Sequence, residues 1–159
     1  MDVYWLFDWL DTSLLADMSK AYGGVFAVVQ MFHLLGLALM GGSVILSDLR
    51  FLGVLMTDVP SKVVFENTQR LFTLSLIVLV LSGIFMASAV ALKLYYNEAF
   101  WAKMAGLALG TIFVYFVRKP LFTRFEHDTI SPAAVKIAAV CSLTIWFTVA
   151  ASGRWIGFS

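Results

Sequence analysis

Four long apolar stretches, at residues 22–46, 71–92, 100–117 and 132–151, constrain this chain more than any other feature of its sequence. A helix rises about 1.5 Å per residue and the hydrocarbon layer of a bilayer is about 30 Å thick, so about 20 apolar residues make one crossing. Each stretch is of that order. Hydrocarbon offers the backbone no hydrogen bonds, so such segments must be helices that satisfy their own N–H and C=O groups. The composition agrees: 61% of the residues are hydrophobic, 13% are charged, and the mean hydropathy is +0.90. A water-soluble domain carries about a quarter of its residues charged, so a soluble globule is excluded. Eleven Lys and Arg against ten Asp and Glu give a net charge of +1, with no basic surface for a phosphate backbone, which excludes nucleic-acid binding. The expected fold is all-α: a single transmembrane domain over residues 1–159, a polytopic four-helix up-and-down bundle, with membrane lipid as its solvent.

The segment MDVYWLFDWLDTSLLADMSK holds four Asp and one Lys, unlike the basic start of a secretory signal, so it is expected to stay on the protein. Tyr4, Trp5, Phe7, Trp9 and Leu10 are mixed with Asp2, Asp8 and Asp11, which predicts a short interfacial helix over residues 3–12, lying in the headgroup layer. The third span is expected to stop at Arg118, Lys119 and Pro120, and the fourth to open on a Ser131 cap followed by Pro132. Seven basic residues lie toward one side (Arg50, Lys62, Arg70, Arg118, Lys119, Arg124, Lys136) and four toward the other (Lys20, Lys93, Lys103, Arg154). By the positive-inside rule both termini lie outside the cytoplasm of a bacterial inner membrane. Gly36, Gly41 and Gly42 on span one, Gly83 with Ala87 on span two, and Gly106 with Gly110 on span three would let helices approach closely. Such faces also permit self-association, so a homo-oligomer or a subunit of a membrane complex is expected. The single cysteine, Cys141, reads as a small core residue and excludes an internal disulfide or a cysteine-based cluster.

An ionisable group inside hydrocarbon is costly and therefore a functional candidate. His33 lies near the middle of span one, in a stripe with Gln30, Gly36, Met40, Ser43 and Ser47 that is polar or small from end to end. Ser75, Ser82, Met86 and Lys93 form a comparable stripe on span two, and Lys103, Gly106 and Gly110 one on span three. Lys93, Lys103 and Arg154 gather at one end of the bundle. A haem b would fit that pattern, with its iron on His33, its propionates on Lys103 and Arg154, and Met86 as the best in-chain second ligand. The expected role is then electron transfer, and no catalytic set is legible. Two alternatives stand beside it. His33 could be only an interhelical hydrogen-bond partner in a scaffold or accessory subunit. Met31, Met40, Met56, Met86 and Met104 could serve copper or small-cation transport, although no MxM or MxxM spacing occurs. Asp48 and Arg50 read as a structural pair or interface anchors, and His127 as a solvated loop residue.

The segments QMFHLLGLALMGGSVILSDLRFLGV, NEAFWAKMAGLALG and SGRWIGF resemble an uncharacterised family of small bacterial four-helix membrane proteins, described only as a domain of unknown function. More distantly, the order of His, Gly and Leu-Arg, followed by a Trp-x-Lys, is similar to the copper-resistance D-like superfamily, which includes the HemJ-type protoporphyrinogen oxidases. That resemblance implies a helical bundle in which a histidine and a lysine serve haem; the matching positions here are His33 and Lys103. The chain departs from that branch in having no further intramembrane histidine, and Tyr115 to Arg118 stand where relatives often carry one.

Overall fold

The structure is a computed structural model that describes residues 3–125 and 131–156; His127 lies outside the described residues. Two short helices, α1 (Tyr4–Asp11) and α2 (Leu14–Ala21), precede α3 (Gly23–Leu52). Then come α4 (Ser61–Ser88), the short α5 (Ala91–Tyr95) and α6 (Glu98–Ile112), which runs through a π-helical segment (Phe113–Arg118) into α7 (Lys119–Phe125). The last helix is α8 (Pro132–Trp155), and no strand occurs among the described residues. Four helical stretches, Gly23–Leu52, Ser61–Ser88, Glu98–Phe125 and Pro132–Trp155, are long and apolar enough to cross a membrane. The chain is a multi-pass membrane protein with an all-α fold.

The pattern of burial is inverted relative to a soluble protein. Ser43, Ser47, Asp48, Gln69, Ser75, Ser82, Arg118 and Ser142 are buried, whereas Leu74, Leu81, Phe116 and Phe147 face outward. Hydrocarbon is the cheaper neighbour for leucine and phenylalanine, and the bundle interior the only place where polar side chains find partners. Within the bundle α3 packs along α4 and α6 along α8, and contact between α3 and α8 joins the two pairs. One apolar cluster fills the middle: Met40, Val44, Phe72, Leu79, Val114, Trp146 and Val149. A second, of Phe51, Phe65, Phe122, Val135, Ala138 and Ala139, closes the end where α3 turns into α4. A third, of Phe7, Ala91 and Leu94, fastens α1 to α5 at the opposite end.

The structure departs from the sequence reading at several points, each with a local cause. The N-terminal segment is two helices, because Ser13 caps α2 by accepting from the Ala16 N–H, and Ser19 then meets Ser88 of α4 at 3.4 Å. The second crossing starts earlier than its apolar run, at Ser61, since Val64, Phe65, Thr68 and Gln69 already face inward. It ends at Ser88, so Lys93 stands exposed on the separate α5 and does not extend the Ser75–Ser82–Met86 stripe. The third crossing does not stop at Pro120. Just before the proline the helix widens, with the Lys119 N–H bonded to the Val114 carbonyl in i to i+5 spacing, and this altered register absorbs the missing donor. Gln30 and Cys141 face outward instead of into the bundle.

Only some of the glycines mediate close approach. A Cβ added at Gly106 would come within 2.8 Å of Val149 Cγ2, and one at Gly110 within 3.0 Å of the Trp146 ring. One at Gly36 would lie 3.3 Å from both Leu79 and Val78, whereas at Gly41 and Gly42 nothing lies within 4 Å. Gly106→Ile should therefore destabilise the α6–α8 pair by about 1–3 kcal/mol through overpacking. Gly42→Ala should be neutral or slightly stabilising, by up to about 1 kcal/mol, because helix propensity improves without a clash. Denaturation of the two variants in one detergent measures the contrast.

Candidate functional site

Two groups of interior polar residues stand at opposite ends of the central apolar cluster. His33 leads the first. It is half-buried on α3, and its Nδ1 lies 2.8 Å from Ser82 Oγ on α4. Ser82 spends its single hydroxyl proton on the Val78 carbonyl one turn back. With that bond made, its oxygen is available to accept from the imidazole, which is the tautomer with the proton on Nδ1 and a lone pair on Nε2. The ring packs over Gly83, where an added Cβ would stand 3.5 Å from His33 Cε1. No group among the described residues bonds Nε2, and that atom is not among the fully buried unpartnered ones. The lone pair is thus free and reachable.

Lys103 approaches the same region from α6. Its ammonium lies against α8, with Nζ 3.6 Å from where a Cβ on Gly153 would stand, and its charge acts on the His33 ring. Half-buried, it takes part in no ion pair or hydrogen bond among the described residues. Glycine at 153 leaves the room that the lysine stem occupies. Arg154 follows directly and is exposed, while Met86 is half-buried one turn beyond Ser82 on α4. The structure thus brings His33 and Lys103 within electrostatic reach of each other and sets Arg154 and Met86 at the margin. A groove of about 930 Å³ lined by Lys93, Glu98, Ala102, Ser152 and Trp155 opens at the same end, but it includes neither His33 nor Lys103.

The second group is built on an ion pair. Arg118 Nε and Nη2 both stand 2.8 Å from Asp48 Oδ1, and the two side chains are 2% and 0% exposed. Arg118 Nη1 donates to Gln69 Oε1 at 3.4 Å. The guanidinium carbon lies 5.0 Å from the Phe122 ring centre and 5.9 Å from that of Phe65, so aromatic faces cover the cation. The expected Asp48–Arg50 pairing does not form, because residues two apart on a helix point in different directions. Arg50 instead donates its Nε–H to the Val59 carbonyl at 2.9 Å and braces the turn between α3 and α4.

The sequence offered a signal for Arg118 that a terminator reading passes over. Beyond Lys119 it is followed by Pro-Leu-Phe rather than by a polar loop, so the arginine stands close to further apolar residues, with Asp48 as a partner at comparable depth on α3. Ser82 was visible as part of a stripe, but its role in fixing the imidazole proton depends on contact between helices.

A family model described as a family of unknown function (DUF6644) matches residues 6–159. No curated protein and no solved structure matches the chain.

Removing one member of the buried pair leaves the other charged in a medium that cannot solvate it. Asp48→Ala or Arg118→Ala should each cost about 3–5 kcal/mol, whereas Asp48→Leu combined with Arg118→Met should recover most of that loss. Unfolding titrations of the single and double variants in detergent check this, and additive losses would contradict it.

Proposed function

We propose that this chain, which belongs to the DUF6644 family, is a haem-binding membrane protein of the electron-transfer class, with His33 as the axial ligand of a b-type haem or similar tetrapyrrole. The supporting observation is the state of His33. Its Nδ1 lies 2.8 Å from Ser82 Oγ, whose proton can go to the Val78 carbonyl, an arrangement that accommodates an Nδ1–H donor and leaves Nε2 for a ligand. This is the arrangement a ligating histidine needs, because the second-shell bond fixes tautomer and ring orientation together. Lys103 adds a half-buried ammonium without an anionic partner among the described residues, which is suited to a propionate carried below the headgroup layer. Arg154 would hold the second propionate from the end of α8, and Met86 is the in-chain candidate for the second axial position. A bound haem supplies one-electron chemistry. The bundle's own contribution is orientation of the imidazole and exclusion of water around it.

The placement of the termini outside the cytoplasm of a bacterial inner membrane rests on the basic residues. Arg118 is consumed by its buried pair, so six basic residues, against four, remain on the side of the α3–α4 turn. A homo-oligomer or a place in a larger membrane complex goes with this reading, since one four-helix bundle holds few groups to relay electrons.

A scaffold or accessory role is the second reading, and the same His33–Ser82 bond favours it, since that bond alone already ties α3 to α4. Copper transport has less to support it, with Met40 packed among Val44 and Phe72 in the central cluster.

The absorption spectrum of protein purified from haem-replete cells, oxidised and then reduced with dithionite, separates the readings. A Soret band that His33→Ala abolishes, and that Lys103→Ala weakens by faster haem loss, is the expected outcome. Ser82→Ala should lower haem affinity about 10–100-fold, as loss of a second-shell partner does. Colourless wild-type protein, with a modest stability loss on His33→Gln, would instead establish the scaffold reading.

A further inference from the structure

The ion pair at the α3–α4-turn end leaves polar atoms over. Both close contacts of Arg118 converge on Asp48 Oδ1, so Asp48 Oδ2 is fully buried with no partner. Gln69 accepts from Arg118 through Oε1, and its Nε2 is likewise buried and unbonded. Arg118 Nη2 makes an ionic contact but no well-directed hydrogen bond, and Ser142 Oγ stands beside the Asp48 carboxyl, within reach of a bond to it. Three unsatisfied polar atoms, from α3, α4 and the π-helical segment, therefore share one level of the bundle with Ser142 of α8. Each is costly where no lipid group can bond it.

That level is closed on both sides. Toward His33, the central cluster places Val44, Phe72, Val114 and Trp146 across the bundle, one from each of the four crossings. Toward the α3–α4 turn, Phe51, Phe65, Phe122 and Val135 do the same. The π-helical segment is what delivers Arg118 to this level, and such wide turns occur often where a helix is bent to a purpose.

We infer that the layer around Asp48, Gln69, Arg118 and Ser142 is a binding site for ordered water, sealed within the membrane between two apolar clusters. The donor set selects the guest. Asp48 Oδ2 can only accept, Arg118 Nη2 and Gln69 Nε2 can only donate, and Ser142 can do both. A bare cation would satisfy the acceptors alone and an anion the donors alone, and the carboxylate and guanidinium already neutralise each other. Water serves both kinds, and with two to four bonds per molecule the three atoms call for on the order of one or two waters. Those waters complete the polar contact that joins all four crossings.

Water-edited solid-state NMR on the full chain in phospholipid bilayers, with side-chain labels on Asp, Arg, Gln and Val, tests this. Polarisation from water should reach the Arg118 guanidinium and the Asp48 carboxyl several-fold faster than it reaches Val44 and Val114. Equal, slow transfer at all four would mean a dry layer and overturn the site. In Asp48→Leu/Arg118→Met the fast transfer to Gln69 should disappear, and its persistence would assign the water to leakage from the interface instead. Replacing Na⁺ with choline should leave the Asp48 shift unchanged. A shift that follows Na⁺ would give the place to a cation and overturn the assignment.

Discussion

Hydrocarbon cannot hydrogen-bond, and much of this bundle's organisation follows from that. Every polar side chain on a crossing must find a partner within the protein or reach an end of the span. The Asp48–Arg118 pair is the strongest instance: it is fully buried, covered by the Phe65 and Phe122 rings, and formed between two helices far apart in sequence. Such a pair adds little net stability over an apolar substitute. It does specify one arrangement, because any other register of α3 against the third crossing would leave two charges unmatched in lipid.

Close helix packing does the rest, and small residues provide it. Gly106 and Gly110 admit Val149 and Trp146, which draws α6 onto α8, while Gly36 admits Val78 and Leu79 and draws α3 onto α4. These contacts build the central cluster. Fifteen residues separate His33 from Asp48 along α3, about 22 Å at helical rise, and the cluster fills the interval with Met40 and Val44. The bundle thus holds two polar levels on either side of a largely apolar cluster, in which Ser43 and Ser75 are also buried. Near one end, the imidazole of His33 and the ammonium of Lys103, which has no ion-pair partner among the described residues, face the same region. Near the other, a charge-neutral network is enclosed.

The two levels differ in what they can do. The His33 level is half-open and offers one lone pair and one cation, which suits a ligand that brings a metal and a carboxylate. The Asp48 level is closed and its charges cancel, which suits structure and small neutral guests. Chemistry proposed for one does not transfer to the other, since an apolar cluster with a member on every crossing stands between them.

By itself the sequence determined the class of fold, the four crossings and the singular position of His33, because each depends on local hydropathy and on spacing along one helix. The resemblance to a family of unknown function was likewise legible in contiguous segments around His33, Trp101 and Lys103. Helix ends were less so: the proline that should have stopped the third crossing is absorbed by a wide turn that no local pattern announces. Only the tertiary structure decided that Arg118 belongs to Asp48 rather than to a loop, that Gln30 faces outward, and that the imidazole of His33 meets Ser82 through Nδ1. Those outcomes depend on which faces of different helices meet, and side-chain partners across 49 or 70 residues of chain are set by packing, which one-dimensional periodicity does not carry.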